Sequence, residues 1–149
     1  MVDLATVRSS NTRLVSTQPL VVVVVGVAGI GGYALRALAA THGKDGKGLR
    51  VYIVARTATK VEGLILDCQK LCPAGHFHFV QANDLALLQE VDKTCVELIK
   101  VEEKQARAAG DKARIDILIM AHANFEPWHP RQGKSAFFPL LNLQSESVG

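Results

Sequence analysis

The sequence has little of several things at once. Aromatic residues are 5% of the 149 positions, and the 17 basic residues are interleaved with 14 acidic ones for a formal net charge of +3. Nucleic acid is gripped by clustered cations with stacking aromatics between them, so no nucleic-acid partner is expected. The three cysteines are odd in number and lack paired spacing. They make no disulfide framework and suit a reducing, cytoplasmic compartment. Long apolar runs are missing too. The most apolar stretch, Leu20 to Leu35, is sixteen residues interrupted by Gly26, Gly29, Gly31 and Gly32, whereas a spanning helix needs about 20. The leader Met1 to Pro19 carries Asp3 and no tidy small-residue cleavage site. It reads as a short amphipathic lead-in rather than a targeting peptide, and no membrane partner is expected. There is no internal repeat and no low-complexity tract beyond one run of valines.

What is present is an alternation. With 48% hydrophobic and 21% charged residues, the chain has enough apolar material for one core and is no disordered polymer. Leu20 to Val25 is continuously apolar, as in a strand covered on both faces. A helix is expected over Tyr33 to His42, with Leu35, Leu38 and Ala39 on one face and Gly43, Gly46 and Gly48 ending it. A strand over Arg50 to Ala55 follows, then a helix from about Ala58 to Cys72 striped by Val61, Leu64, Ile65, Cys68 and Leu71. A third strand, His76 to Ala82, puts Phe77 and Phe79 on one face and His78 and Val80 on the other. The third of these helices is expected from Leu85 to about Ala108, buried through Leu88, Val91, Cys95, Leu98 and Ile99, with its charged half from Lys100 to Arg107 in solvent. The fourth strand is Ile115 to Ala121. This βαβαβαβ order predicts an α/β, Rossmann-like three-layer α/β/α fold with a parallel sheet of about four strands in order 3-2-1-4 and an incomplete second half. Residues 1–19 form the lead segment, 20–124 the nucleotide-binding domain and 125–149 an irregular tail, with a short helix around Phe137 to Leu143. In that order the fourth strand is an apolar edge and a possible homo-oligomer contact.

One motif carries chemistry. Gly26-x-x-Gly29-x-Gly31 stands between a buried strand and a helix. There, one glycine permits the turn, another lets backbone approach a phosphate, and a third allows close helix–strand packing. The helix start, with Ile30 in it, offers free N–H groups to a pyrophosphate. A tight turn alone would use glycines in the same way. After the second strand stands Arg56, with Thr57 and Lys60 beyond, where an NAD-binding site would carry an acid. A cation there suits a 2′-phosphate and points to NADP; a plain loop arginine is the alternative. Asp84 follows the third strand, as an adenine contact or a helix cap. His122 and Ala123 follow the fourth, near where a nicotinamide ribose would lie.

Cys68 and Cys72 share a helix face, and His76 and His78 a strand face, without a matching second ligand pair, so no metal is expected. No Ser/His/Asp constellation can be assembled.

Taken together, the Val25–Gly32 turn, the VYIVAR segment ending at Arg56, Asn83-Asp84 and the strand beginning Ile115-Asp116 resemble the short-chain dehydrogenase/reductase family. The resemblance covers residues 3 to 124 or so and is nearest a fungal branch with a GGTAGIGE-type turn. It implies an NADP(H)-dependent oxidoreductase acting on a small carbonyl or alcohol, in a setting of secondary-metabolite biosynthesis. Departures are Val25 where the family's first turn glycine stands, and Met120-Ala121-His122-Ala123 in place of NNAG. The family's catalytic Tyr-x-x-x-Lys is absent: Tyr33 is followed at i+4 by Ala37, and Tyr52 by Arg56. No catalytic residue is therefore assigned. A non-catalytic nucleotide-binding or interaction module, or an inactive truncated product, stands as the alternative.

Overall fold

The computed structural model describes residues 3–122. The elements run α1 (Leu4–Thr17), β1 (Leu20–Val25), α2 (Ile30–Asp45), β2 (Leu49–Ala55), α3 (Ala58–Leu71), β3 (His76–Gln81), α4 (Leu88–Ala108) and β4 (Ile117–Met120). The strands form one parallel sheet in the order β3-β2-β1-β4. The expected fold class and strand order are therefore those observed. β1 lies at the centre, and its valines are buried on both faces. Val22 and Val24 enter one apolar cluster with Leu35 and Ala39 of α2 and Val61, Leu64 and Cys68 of α3. Val21 and Val23 enter the other, with Tyr52, Val54, Val80 and Leu98 of α4. A run without alternation is what a strand between two helical layers requires.

The elements differ from expectation at their ends, for local reasons. The lead segment is a full helix of 14 residues that touches the core only through Val15. α2 spans Ile30–Asp45 rather than 33–42, so Gly43 does not end it. A side chain at Gly43 would collide with the Leu71 carbonyl of α3, so this glycine lets the two helices touch. α4 starts at Leu88 because residues 85–87 are a turn. β4 is shorter than 115–121. Ahead of it, Asp116 Oδ2 accepts the Val21 N–H at 2.8 Å, in place of a strand carbonyl. The segment around Phe137 to Leu143 lies outside the described residues.

The buried face of α4 is the largest correction. Leu88 and Ile99 are 68% and 52% exposed, Cys95 is exposed, and Leu71 of α3 is also largely exposed. Leu98 is buried as expected, but its buried companions on α4 are Thr94, Glu102 and Ala106, the last two in the half expected to project into solvent. Glu102 decides this. It is 3% exposed and accepts bonds from Arg50 Nη2 at 2.9 Å, Arg50 Nε at 3.2 Å and the Tyr52 hydroxyl at 2.7 Å. Asp111 bonds Arg50 and Arg114, and Arg114 bonds Asp116 and the Pro19 carbonyl. This ion-pair network joins α4 to the amino ends of β1, β2 and β4. A hydrophobicity pattern cannot reveal a carboxylate that is buried because it is paired.

Candidate functional site

All four strands point the same way, so the residues that follow their carboxyl ends share one edge of the sheet. Ligands bind at that edge in open parallel sheets. It gathers Gly26 after β1, Arg56 after β2, Asp84 after β3 and His122 after β4. Ala123 lies outside the described residues.

The three glycines do three different things. Gly26 has φ +82°, and a Cβ on it would meet the His122 backbone nitrogen at 2.8 Å. The turn after β1 therefore presses directly on the segment after β4. Gly29 has φ +65°, with nothing within 4 Å of its absent Cβ. It occupies the N-cap of α2 without a capping side chain, and the first turn of α2 holds no acid. The exposed N–H groups and positive dipole end of the helix are left uncompensated. Gly31 packs where a Cβ would collide with the Gly26 carbonyl and would stand 3.0 Å from the Ala121 Cβ. Gly32, which the motif reading left out of the site, is equally constrained: its Cβ would sit 2.6 Å from the Val27 carbonyl oxygen. Its signal was present as the second glycine of a Gly-Gly pair. Ile30 and Tyr33 are 81% and 74% exposed on the first turn of α2, an apolar rim at the mouth. Bare backbone, an uncapped helix start and open space at Gly29 fit an anionic pyrophosphate.

The loops after β2 and β3 are tied together. Gln81 Nε2 donates to the Arg56 carbonyl at 3.4 Å and to Asn83 Oδ1 at 3.2 Å, and Asn83 Nδ2 donates to Glu90 Oε2 at 3.5 Å. Gln81 was not a sequence candidate; only its place at the end of a strand hinted at it. No ion pair among the described residues uses the Arg56 guanidinium. Asp84 does not cap α4. Its Oδ1 accepts the Ala86 N–H at 3.1 Å and its carbonyl the Leu87 N–H, because the turn it starts fills the residues just ahead of the helix. Glu90, in the first turn of α4, is held below the usual carboxylate range by hydrogen bonding to Lys93.

The other candidates separate from this edge. Cys68 is buried in the core, and desolvation pushes its thiol up to about 11. Burial raises Cys72 as well, so neither is a ready nucleophile. No cluster of three or more metal-ligating side chains occurs among the described residues. His78 stacks on Tyr52 with ring centroids 5.4 Å apart. Tyr52 has its hydroxyl on Glu102, and burial followed by that bond drives its pKa far above the ordinary value. It lies in mid-sheet and cannot serve as an acid/base. No helix among the described residues is long and apolar enough to cross a membrane.

Comparison with known proteins adds to this geometry. The chain is 42% identical over 124 residues to the short-chain dehydrogenase/reductase SAT2 of Stachybotrys chartarum, a match covering 83% of the chain and 35% of that relative. It is 32% identical over 105 residues to oxidoreductase AN1596 of Emericella nidulans, covering 70% of the chain and 30% of that protein. The matches thus span about a third of the length of these curated relatives. No family model and no solved structure matches the chain.

Proposed function

The chain belongs to the short-chain dehydrogenase/reductase family, and from that premise we propose that it holds NADP(H) along the carboxyl edge of its sheet. The observation that carries this reading is the open N-cap of α2. Gly29 stands at φ +65° over empty space, between a turn whose Gly26 admits no side chain and a helix start with no acid.

In this reading the backbone from Gly26 to Gly31 lies against the pyrophosphate, and Ile30 covers it from the rim. Arg56 faces the 2′-phosphate, with Thr57 and Lys60 behind it, which favours NADP over NAD. Asp84 borders the adenine; His122 and Ala123 border the nicotinamide ribose. When bound, the cofactor supplies or accepts a hydride at a carbonyl or alcohol carbon of a small molecule. The residues of this chain bind and orient it: the sequence has no Tyr-x-x-x-Lys pair, and Tyr52 is committed to Glu102. Residues 20–124 make up the binding unit, with 1–19 as lead and 125–149 as tail. The fungal resemblance favours a role in secondary-metabolite biosynthesis, and the unpaired cysteines favour the cytoplasm.

Calorimetric titration tests the proposal. NADPH should give saturable heat and NADH a weaker isotherm, and Gly29→Asp should abolish both. Equal or tighter NADH binding would overturn the choice of cofactor. Absence of heat with either nucleotide would overturn the site.

A further inference from the structure

The connection from β2 to α3 is two residues long, Arg56 and Thr57. It begins where the strand ladder stops. Gln81 lies opposite Ala55 in the register, and the Ala82 N–H closes the ladder on the Ala55 carbonyl at 3.0 Å. Arg56 is the first residue past that bond. Thr57, the N-cap of α3, makes no side-chain cap bond. What meets the connection is the amide of Gln81, whose Nε2 donates to the Arg56 carbonyl at 3.4 Å.

That bond ends a relay whose polarity is fixed. An ionised carboxylate only accepts, so Glu90 on α4 takes the Nδ2 group of Asn83, at 3.5 Å. Asn83 is thereby turned to offer Oδ1 to Gln81, which answers with Nε2 at 3.2 Å. The same amide nitrogen carries a second hydrogen, and that one serves the Arg56 carbonyl. Lys93 holds Glu90 from the other side at 2.9 Å, which keeps the carboxylate charged. Each contact in the relay is long, yet none can reverse while Glu90 is ionised. Arg56, Gln81 and Asn83 are all exposed, so the core does not depend on them.

We propose that Gln81 is a positioning residue for cofactor choice: it fixes the Arg56 backbone, so that the guanidinium is presented to a 2′-phosphate and NADPH is distinguished from NADH. The inference rests on the NADP(H) reading above. Its physical ground is conformational freedom. An arginine side chain is long and rich in rotamers, and ordering it on binding subtracts from affinity. A backbone that also moves multiplies the arrangements that must be frozen. No ion pair among the described residues engages the Arg56 guanidinium, so its starting direction is set by the backbone that Gln81 holds. Gln81 thus acts through Arg56 rather than on the nucleotide.

Titration of the full chain with NADPH and with NADH tests this through Gln81→Met, which keeps the length of the side chain and removes both of its donor hydrogens. The ratio of NADPH to NADH affinity should fall about fivefold, the worth of one hydrogen bond, with NADH affinity and the urea midpoint unchanged. In an Arg56→Met background the same substitution should leave the ratio where Arg56→Met alone puts it. A Gln81→Met chain with the parent's ratio would overturn the inference and leave the NADP(H) reading standing. An equal loss of both nucleotides, which marks a merely structural residue, would do the same, as would a further fall in the ratio once Arg56 is gone. A parent chain that does not prefer NADPH removes the premise, and the inference falls with it.

Discussion

At the amino ends of the strands, Arg50, Tyr52, Glu102, Asp111, Arg114 and Asp116 are joined by hydrogen bonds and ion pairs of 2.7 to 3.3 Å, and Glu102 is almost fully buried. At the carboxyl ends, Gly26, Gly29 and Gly31 present bare backbone, and Arg56 reaches out with no ion pair among the described residues. One end spends its polar groups on holding the fold. The other ties its loops with a few side-chain bonds from Gln81 and Asn83 and leaves the helix start at Gly29 uncapped. Separating the two tasks lets the carboxyl edge be glycine-rich, because the strands are locked elsewhere.

Substitutions at the two ends should therefore fail in different ways. The largest effect is expected from Glu102→Ala, which leaves the buried Tyr52 hydroxyl without its acceptor and Arg50 with Asp111 alone. Breaking a buried pair from one side costs about 3–5 kcal/mol. Urea unfolding should show that loss, while any folded fraction still binds NADPH. If Glu102→Ala melted like the parent, the amino-end network would be ornamental and the contrast would collapse. Next comes Gly29→Asp, which forces an L-residue into a left-handed backbone at roughly 1–2 kcal/mol and sets a carboxylate where the phosphates would lie. Nucleotide affinity should fall well beyond tenfold with only a modest drop in melting temperature.

Arg56→Glu should be smaller and confined to the binding edge. NADPH affinity should weaken about tenfold, or about 1.4 kcal/mol, with NADH affinity and urea midpoint unchanged. Acidification should produce the mildest effect, and it belongs to neither end's ion pairs. Burial lowers the pKa of His42 and His78 below the ordinary 6.5. The folded chain then binds fewer protons than the unfolded chain once the pH falls to 6.5. Stability is complete above that value and declines as the pH drops through it toward the depressed folded-state values. The His42 ring nitrogens have no hydrogen-bond partner among the described residues, so His42→Leu should flatten part of that slope in denaturation curves taken between pH 7 and 5.

The architecture of the carboxyl edge was easier to read from sequence than that of the locked one. Glycines between a valine run and a helix mark a backbone approach without any knowledge of packing, and three of the strands fell within a residue of their observed ends. Glu102 was misread because its neighbours Lys100, Glu103, Lys104 and Arg107 make the segment look solvated. Its burial depends on Arg50 and Tyr52, about fifty residues away, and no local window contains that information. The misplaced stripe on α4 has the same origin: Leu88, Cys95 and Ile99 satisfy the helical period, yet a paired carboxylate turned the helix. The helix-cap alternative for Asp84 failed for a local reason, since the turn it starts delays the start of α4.

The bonds between Asp116 and Val21, and between Arg114 and Pro19, each join residues 95 positions apart. β1 is the central strand, yet one of its sides waits for a segment made long after it. Contacts so distant in sequence close slowly, because loop entropy is lost before they repay it. During folding, then, β1 and β2 can pair early while the other side of β1 stays open. Arrival of the Arg114–Asp116 turn would be the late, rate-setting event, with Val21 among the last amides of β1 to gain protection from hydrogen exchange.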